Sequence, residues 1–180
     1  MRKVILYIAT SLDGYIADSD GGVNWLRGQD ELNTDPGSYP EFIKTVDTVI
    51  LGYKTYNQVV TELSPDSWVY SGMKSYVITS KGIENNDEII FTNENLADLI
   101  SRLKNKSGKN IWICGGASIV NQLIELDLID EFHISIIPTI LGNGIPLFKE
   151  SNKSKCLELI GTRTYNGIVD LQYKCRKTTK

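Results

Sequence analysis

The sequence has one histidine and three cysteines, and these shortages remove several kinds of chemistry at once. His133 alone cannot make a two-histidine metal site. It also falls inside a strand pattern, where a structural role suits it better than a place in a Ser-His or Cys-His nucleophilic centre. Cys114, Cys156 and Cys175 are odd in number and none stands in C-x-x-C spacing, so neither a disulfide framework nor a zinc knuckle is expected and the thiols read as reduced. Long apolar runs are lacking too. The longest, such as Phe132 to Pro138, fall far short of a bilayer span, and Met1-Arg2-Lys3 leads into a strand pattern too short and too early interrupted for a signal peptide. A formal net charge of -3 argues against a surface built to grip nucleic acid or an anionic membrane, and leaves room only for a small anion site. A cytoplasmic protein is the expectation.

What is present reads as one ordinary globular domain. The 180 residues, 41% hydrophobic and 23% charged, can bury a core without metals or disulfides, and no low-complexity block interrupts them. We expect a single domain over residues 1–176 and a basic, unpatterned tail at 177–180. Val4-Ile5-Leu6-Tyr7-Ile8-Ala9 has the near-continuous apolar character of a strand covered on both faces. Ser11-Leu12-Asp13-Gly14 supplies a turn, and the polar stretch from Asp18 to Pro40 predicts a long binding or lid loop. A short helix begins at Pro40-Glu41-Phe42-Ile43, a second strand covers Thr48 to Leu51, and a helix runs from Tyr53 to about Leu63. Further strands are predicted at Ser75–Thr79, Glu88–Phe91, Ile111–Cys114 and Phe132–Ile137. Helices lie between them at Leu96–Leu103, with Asn95 as N-cap, and on the face marked by Ile119, Val120, Leu123 and Ile124. Leu157 to Cys175 reads as two strands joined at Asn166-Gly167, a strong hairpin signal. The implied fold class is α/β, with a mostly parallel sheet and antiparallel strands at its end.

Three places could carry chemistry. At Ile111 to Val120 a buried strand ends in Gly115-Gly116 and a helix starts immediately, so unpaired N–H groups and the positive end of the helix dipole converge where no Cβ blocks a phosphate. By itself the glycine pair fits a tight turn without ligand equally well. Gly52-Tyr53-Lys54-Thr55 repeats the arrangement, with a hydroxyl and a cation in the first turn. Both lie at carboxyl ends of strands, where open α/β sheets bind ligands, and a dinucleotide would explain the pair. Thr79-Ser80-Lys81, at the end of another strand, could hold a further phosphate, although a solvated polar turn also accounts for it. The G-x-G-x-x-G fingerprint of conventional dehydrogenases is absent, as is an FMN loop after the first strand.

These residues carry a resemblance over nearly the whole chain to the dihydrofolate reductase superfamily, and more closely to the reductase domain of bacterial riboflavin synthesis and its small stand-alone relatives. The matching stretches are Ser11-Leu12-Asp13-Gly14-Tyr15-Ile16-Ala17, Leu51-Gly52-Tyr53-Lys54-Thr55-Tyr56, Ile113-Cys114-Gly115-Gly116-Ala117, Leu128-Ile129-Asp130-Glu131 and the run from Pro138 to Phe148. The resemblance implies a three-layer sandwich with helices on both faces of the sheet, NADPH as cofactor and hydride transfer to a small heterocycle, pterin- or aminopyrimidine-like. It implies that Ala9 and Ile16 flank the nicotinamide. The pyrophosphate would be held by Gly52, Tyr53, Lys54 and Thr55 from one helix and by Gly115, Gly116, Ala117, Ser118, Ile119 and Val120 from the other. Thr79, Ser80 and Lys81 would meet the adenosine ribose and its phosphate, and Trp25 would lie in the loop that closes over the nicotinamide. A homodimer through the strand Phe132 to Pro138 and the terminal hairpin is also expected.

Two positions depart from the family's usual pattern. Relatives have arginine after the glycine of the second motif, where this chain has Tyr53, so a preference for NADPH rests on Lys54 and Lys81. The riboflavin-type enzymes have a basic residue where this chain has Tyr15. Reduction of C=N or C=O also needs a proton, usually from a buried carboxyl. The candidates are Asp35 and Glu41, in the region where dihydrofolate reductases carry their acid, and Asp13, which could equally serve only the turn; donation by water is the other route. The alternative function is a catalytically degenerate relative that binds a nucleotide or regulatory ligand without turnover. A pure interaction module would bind no dinucleotide at all.

Overall fold

The structure, a computed structural model, describes residues 1–150 and 154–176; the tail expected at 177–180 lies outside the described residues. The central element is β1 (Val4–Ser11), whose residues point alternately to two apolar layers, as the period of a strand requires. Leu6 joins Ile50, Ile111, Ile113 and Val120 in one core cluster. Ile5 joins Val49, Leu51, Val77 and Trp112 in the other.

The remaining strands are β2 (Tyr15–Ala17), β3 (Val46–Gly52), β4 (Lys74–Ile78), β5 (Ile89–Thr92), β6 (Asn110–Gly115), β7 (Glu131–Ile137), β8 (Ile145–Pro146), β9 (Leu157–Tyr165) and β10 (Ile168–Cys175). The main sheet is eight-stranded in the order β5-β4-β3-β6-β1-β7-β10-β9, while β2 and β8 form a small separate pair. The first six strands of that order run parallel; β10 runs antiparallel to β7, and β9 antiparallel to β10. The expected fold class is therefore found, with the β2–β8 pair as an addition that three-residue and two-residue strands do not announce in sequence.

The helices are α1 (Tyr39–Ile43), α2 (Tyr53–Gln58), α3 (Leu96–Lys104) and α4 (Ala117–Glu125), and a π-helical turn over Val59–Leu63 continues α2. α3 buries Leu96, Leu99, Ile100 and Leu103, the i, i+3, i+4, i+7 stripe of an amphipathic helix, and the Asn95 side chain accepts from the Ala97 N–H at its start. α3 and α4 supply one core cluster, while Phe42 of α1 and the partly buried Tyr53 and Tyr56 of α2 pack into the other. Helices thus cover both sheet faces, completing the three layers.

The hairpin turn Asn166-Gly167 has both residues at positive φ (46° and 74°), the conformation a two-residue hairpin asks for. That turn also fastens the long loop: Asn166 Oδ1 accepts from the Asp30 N–H at 2.9 Å and Asn166 Nδ2 donates to the Asp30 carbonyl at 2.9 Å. β7 is paired on both sides and buries Phe132, Ile134 and Ile137, so it offers no edge; the edges of the main sheet are β5 and β9. No helix among the described residues is long and apolar enough to cross a membrane.

Candidate functional site

The parallel pairing of β3 with β6 sets Leu51 opposite Gly115, so the helices leaving these strands start side by side. Neither start carries a side-chain cap: Gly52 precedes α2 and Gly116 precedes α4, which leaves first-turn N–H groups free for an anion. The gap between them is narrow. A methyl added at Gly52 would stand 3.4 Å from Ile119 Cδ1 and 3.9 Å from the Gly116 nitrogen, and one at Gly116 would stand 3.5 Å from Thr55 Oγ1. Gly115 has φ +124°, open in practice only to glycine, and the Gly115-Gly116 peptide is cis. Ala117, Ile119 and Val120 are buried in the core while Ser118 is exposed beside them.

The third motif joins this pair. Thr79 follows β4, its N–H donating to the Thr92 carbonyl at 2.8 Å, and its hydroxyl accepts from the Lys81 N–H at 3.1 Å. The Lys81 ammonium lies 3.9 Å from the centre of the Tyr53 ring, a cation–π contact. The tyrosine that stands where arginine was expected thus holds a lysine next to the start of α2. Lys54 and Ser80 are exposed.

Around the sheet from there, Ala9 lies on β1, and Ile16, on β2, is partly buried against the α3–α4 core. Trp25 is half-buried in the long loop, its Nε1 donating to the Gly22 carbonyl at 3.2 Å. The loop is tied to α2 where Gln58 Nε2 donates to the Gly21 carbonyl at 2.8 Å.

The three carboxylates expected as acids do not meet the requirement for one, which is burial that favours the neutral form. Asp35 pairs with Arg163 at 3.0 Å and is 39% exposed, and Glu41 pairs with Lys44 at 2.7 Å and is 73% exposed. Asp13 accepts from the Ser11 hydroxyl at 2.6 Å and from the N–H groups of Leu141 and Gly142 at 3.1 and 2.7 Å. The Ser11 hydroxyl, followed by those backbone donors, holds its pKa below the ordinary value, so Asp13 is an ionised anchor for the loop after β7.

The buried carboxylate of this region is one that sequence reasoning missed. Asp170, on β10, is 3% exposed. It accepts from the Ser38 hydroxyl and, at 3.4 Å, from the Tyr165 hydroxyl; the Ser38 oxygen in turn lies 3.0 Å from the Tyr7 hydroxyl. Gly37 makes this approach possible, because a Cβ there would fall 2.1 Å from Tyr165 Cζ. Burial raises the pKa of Tyr7 and pushes Tyr165 up to about 12. The Tyr7 and Tyr70 rings both meet Trp112 edge-on; the Tyr70 hydroxyl lies 3.3 Å from Cys114 Sγ, and burial pushes that thiol up to about 11, so Cys114 is no nucleophile. The available sequence signal was an aspartate inside the strand Ile168-Val169-Asp170-Leu171, where aspartate is disfavoured unless it has a buried partner.

A hollow of about 1020 Å³ is lined by Arg2, Lys104, Asp130 and Lys155 among others. It lies at the opposite ends of the strands and contains none of the residues above. Its charged rim is already paired, Lys104 with Asp130 at 2.8 Å and Lys155 with Asp127. Among the described residues no group of histidine, cysteine and carboxylates could hold a metal ion.

Residues 2–172 match the family described as the RibD C-terminal domain. The chain is 44% identical over 176 residues to the uncharacterized protein YwjB of Bacillus subtilis, covering 96% of this chain and 97% of that one. It is 34% identical to YyaP of the same organism, covering 96% and 94%. Among solved structures, a Shewanella protein described under riboflavin biosynthesis superposes with TM-score 0.83 at 31% identity, covering 97% of this chain and 99% of that one. The dihydrofolate reductase of Enterococcus faecalis, complexed with NADP(H), superposes with TM-score 0.65 at 15% identity over 97% of both chains, which shows the shared fold. The chain belongs to the RibD C-terminal domain family.

Proposed function

We propose that this protein is a reductase that uses NADPH to reduce a C=N or C=O bond in a small heterocycle of pterin or aminopyrimidine type. The observation that carries the reading is the juxtaposition of two uncapped, glycine-led helix starts on adjacent strands, a cradle that a Cβ would fill and that suits a pyrophosphate. Gly52, Tyr53, Lys54 and Thr55 hold it from α2, and Gly115 to Val120 hold it from α4. Thr79, Ser80 and Lys81 receive the adenosine ribose and its 2′-phosphate, with Tyr53 positioning the Lys81 ammonium. Ala9 and Ile16 flank the nicotinamide, and the loop bearing Trp25 excludes water. When bound, the cofactor supplies the hydride, while the protein's residues orient the heterocycle and manage the proton. A structural relative from Thermotoga maritima, whose name includes 5-amino-6-(5-phosphoribosylamino)uracil reductase, has TM-score 0.71 at 15% identity, and this chain covers 57% of its length; its substrate makes an aminopyrimidine the first to try.

Titration with NADPH and with NADH, followed by quenching of tryptophan fluorescence, tests the cofactor; cofactor oxidation with dihydrofolate and with aminouracil ribosyl phosphates tests turnover. Micromolar NADPH binding with turnover supports the reading, and no binding of either dinucleotide at millimolar concentration overturns it. Binding without oxidation of cofactor by any heterocycle favours the second reading, a relative without turnover, which the surface positions of Asp35 and Glu41 support. The same proposal includes a homodimer formed through β9, whose Leu157, Leu159 and Ile160 are exposed; light scattering measures it.

A further inference from the structure

The reductase reading leaves the proton without a source, since Asp13, Asp35 and Glu41 are ionised anchors or surface ion pairs. The pairing registers show where another source stands. β1 pairs with β7 so that Ala9 lies opposite Ser135, and β7 pairs with β10 so that Ser135 lies opposite Asp170. Directly paired residues share a face of a sheet, so Asp170 occupies the same transverse row as Ala9, two strands away, a span of about 10 Å. Tyr7 precedes Ala9 by two residues on that face. The hydrogen-bonded series from Asp170 through Ser38 to Tyr7 crosses the same two strands and ends two residues before Ala9.

We infer that Asp170, Ser38 and Tyr7 form a proton relay that delivers a proton from the buried carboxyl to the heteroatom of a C=N or C=O bond lying over Ala9. The inference rests on the reductase reading of the same site. In the reaction the substrate carbon gains hydride from the bound dihydronicotinamide, which leaves oxidised, and the electron pair of the broken π bond goes to the heteroatom. In the structure Ser38 donates to Asp170; once the carboxyl has taken a proton from water the two bonds reverse, so that the heteroatom takes the proton of Tyr7 Oη, Tyr7 takes one from Ser38 Oγ, and Ser38 takes one from Asp170. Each hydroxyl gives one proton and receives one, so both end as they began, and Asp170 is left ionised until water reprotonates it from the side of Arg163, which is 44% exposed. Burial raises the pKa of Tyr7, so its phenol gives up a proton only as Ser38 supplies another. Tyr7 is the catalytic group; Ser38 and Asp170 act through it.

The groups facing the relay are Tyr7 from β1, Ser38 from the entry to α1, Tyr39 from α1, Ser135 and His133 from β7, and Tyr165 and Arg163 from β9. The test uses the full chain with carbon-13 in the Asp carboxyl and Tyr Cζ positions, assigned with Asp170→Asn and Tyr7→Phe. As the pH is lowered, the Tyr7 resonance should move in the same step as the Asp170 carboxyl. Ser38→Ala should abolish that coupling and Ser38→Thr restore it, and the Ser38 variants keep the test available if Asp170→Asn does not fold. With an accepted substrate, Asp170→Asn and Ser38→Ala should each lower kcat about 100-fold while KM changes much less, and NADPH affinity should stay at the wild-type value. A Tyr7 resonance indifferent to Asp170, or a coupling that survives Ser38→Ala, overturns the relay even in a protein that binds NADPH. A wild-type protein that shows the coupling and binds no NADPH overturns the reductase reading instead.

Discussion

Gly52→Ala separates the fold from the site more cleanly than any other single change. Gly52 has φ -78° and ψ 157°, an ordinary extended conformation for alanine, and the new methyl meets nothing closer than 3.4 Å. Replacing glycine at a compatible position gains about 0.4–1 kcal/mol from the unfolded chain, and the tight contact with Ile119 offsets part of it. The melting temperature should therefore stay within about 2–4 °C of the wild type, the shift expected for about 1 kcal/mol in a chain of this size. The methyl nevertheless projects into the gap between the starts of α2 and α4. Displacing a pyrophosphate there costs one or two charge-assisted hydrogen bonds of about 1.5–3 kcal/mol each, so NADPH affinity should fall at least about tenfold. Fluorescence titration beside a thermal melt reads both quantities. Unchanged NADPH affinity in a folded Gly52→Ala protein would refute a pyrophosphate bound between these helix starts.

Lys81→Ala should weaken NADPH a few-fold, as removal of an exposed ion pair of about 0.2–1 kcal/mol does, and leave NADH affinity unchanged; equal losses for both cofactors would place Lys81 away from the 2′-phosphate. His133 is held below its ordinary value of 6.5 chiefly by burial, with Glu131 opposing. Its share of stability is therefore complete above about pH 6.5 and is lost as the pH falls toward the folded pKa, because the unfolded chain binds the proton first. Urea midpoints measured across that window should depend less on pH in His133→Gln than in wild type, and parallel profiles would contradict the assignment. Cys114, its thiol pushed up to about 11, should resist a thiol-specific reagent at neutral pH while exposed Cys156 reacts at once; rapid labelling of Cys114 in Cys156→Ser would show that the chamber around Tyr70 is open.

Buried strands announce themselves through continuous apolar runs, α3 through its i, i+3, i+4 stripe, and the last hairpin through Asn166-Gly167. These signals are local, and the fold class and the glycine-led helix starts were legible from them. Asp35 and Glu41 stand out by their place in the chain near α1, but chain position says nothing of burial; both face solvent and hold a cation. The short β2–β8 pair and the π-helical turn after α2 likewise depend on contacts that no window of sequence contains.

By itself, then, the sequence determined the parallel sheet and the phosphate-ready turns, because hydrophobic period and glycine conformation act over a few residues. Tertiary structure alone decided that Gly52 and Gly116 face one another and that Lys81 lies over Tyr53. It also decided that Asp170, far along the chain from Ser38 and Tyr7, is the carboxylate withdrawn from water beside them. Charge burial and hydrogen-bond geometry are properties of strand register and packing, and they exist only once distant segments have met.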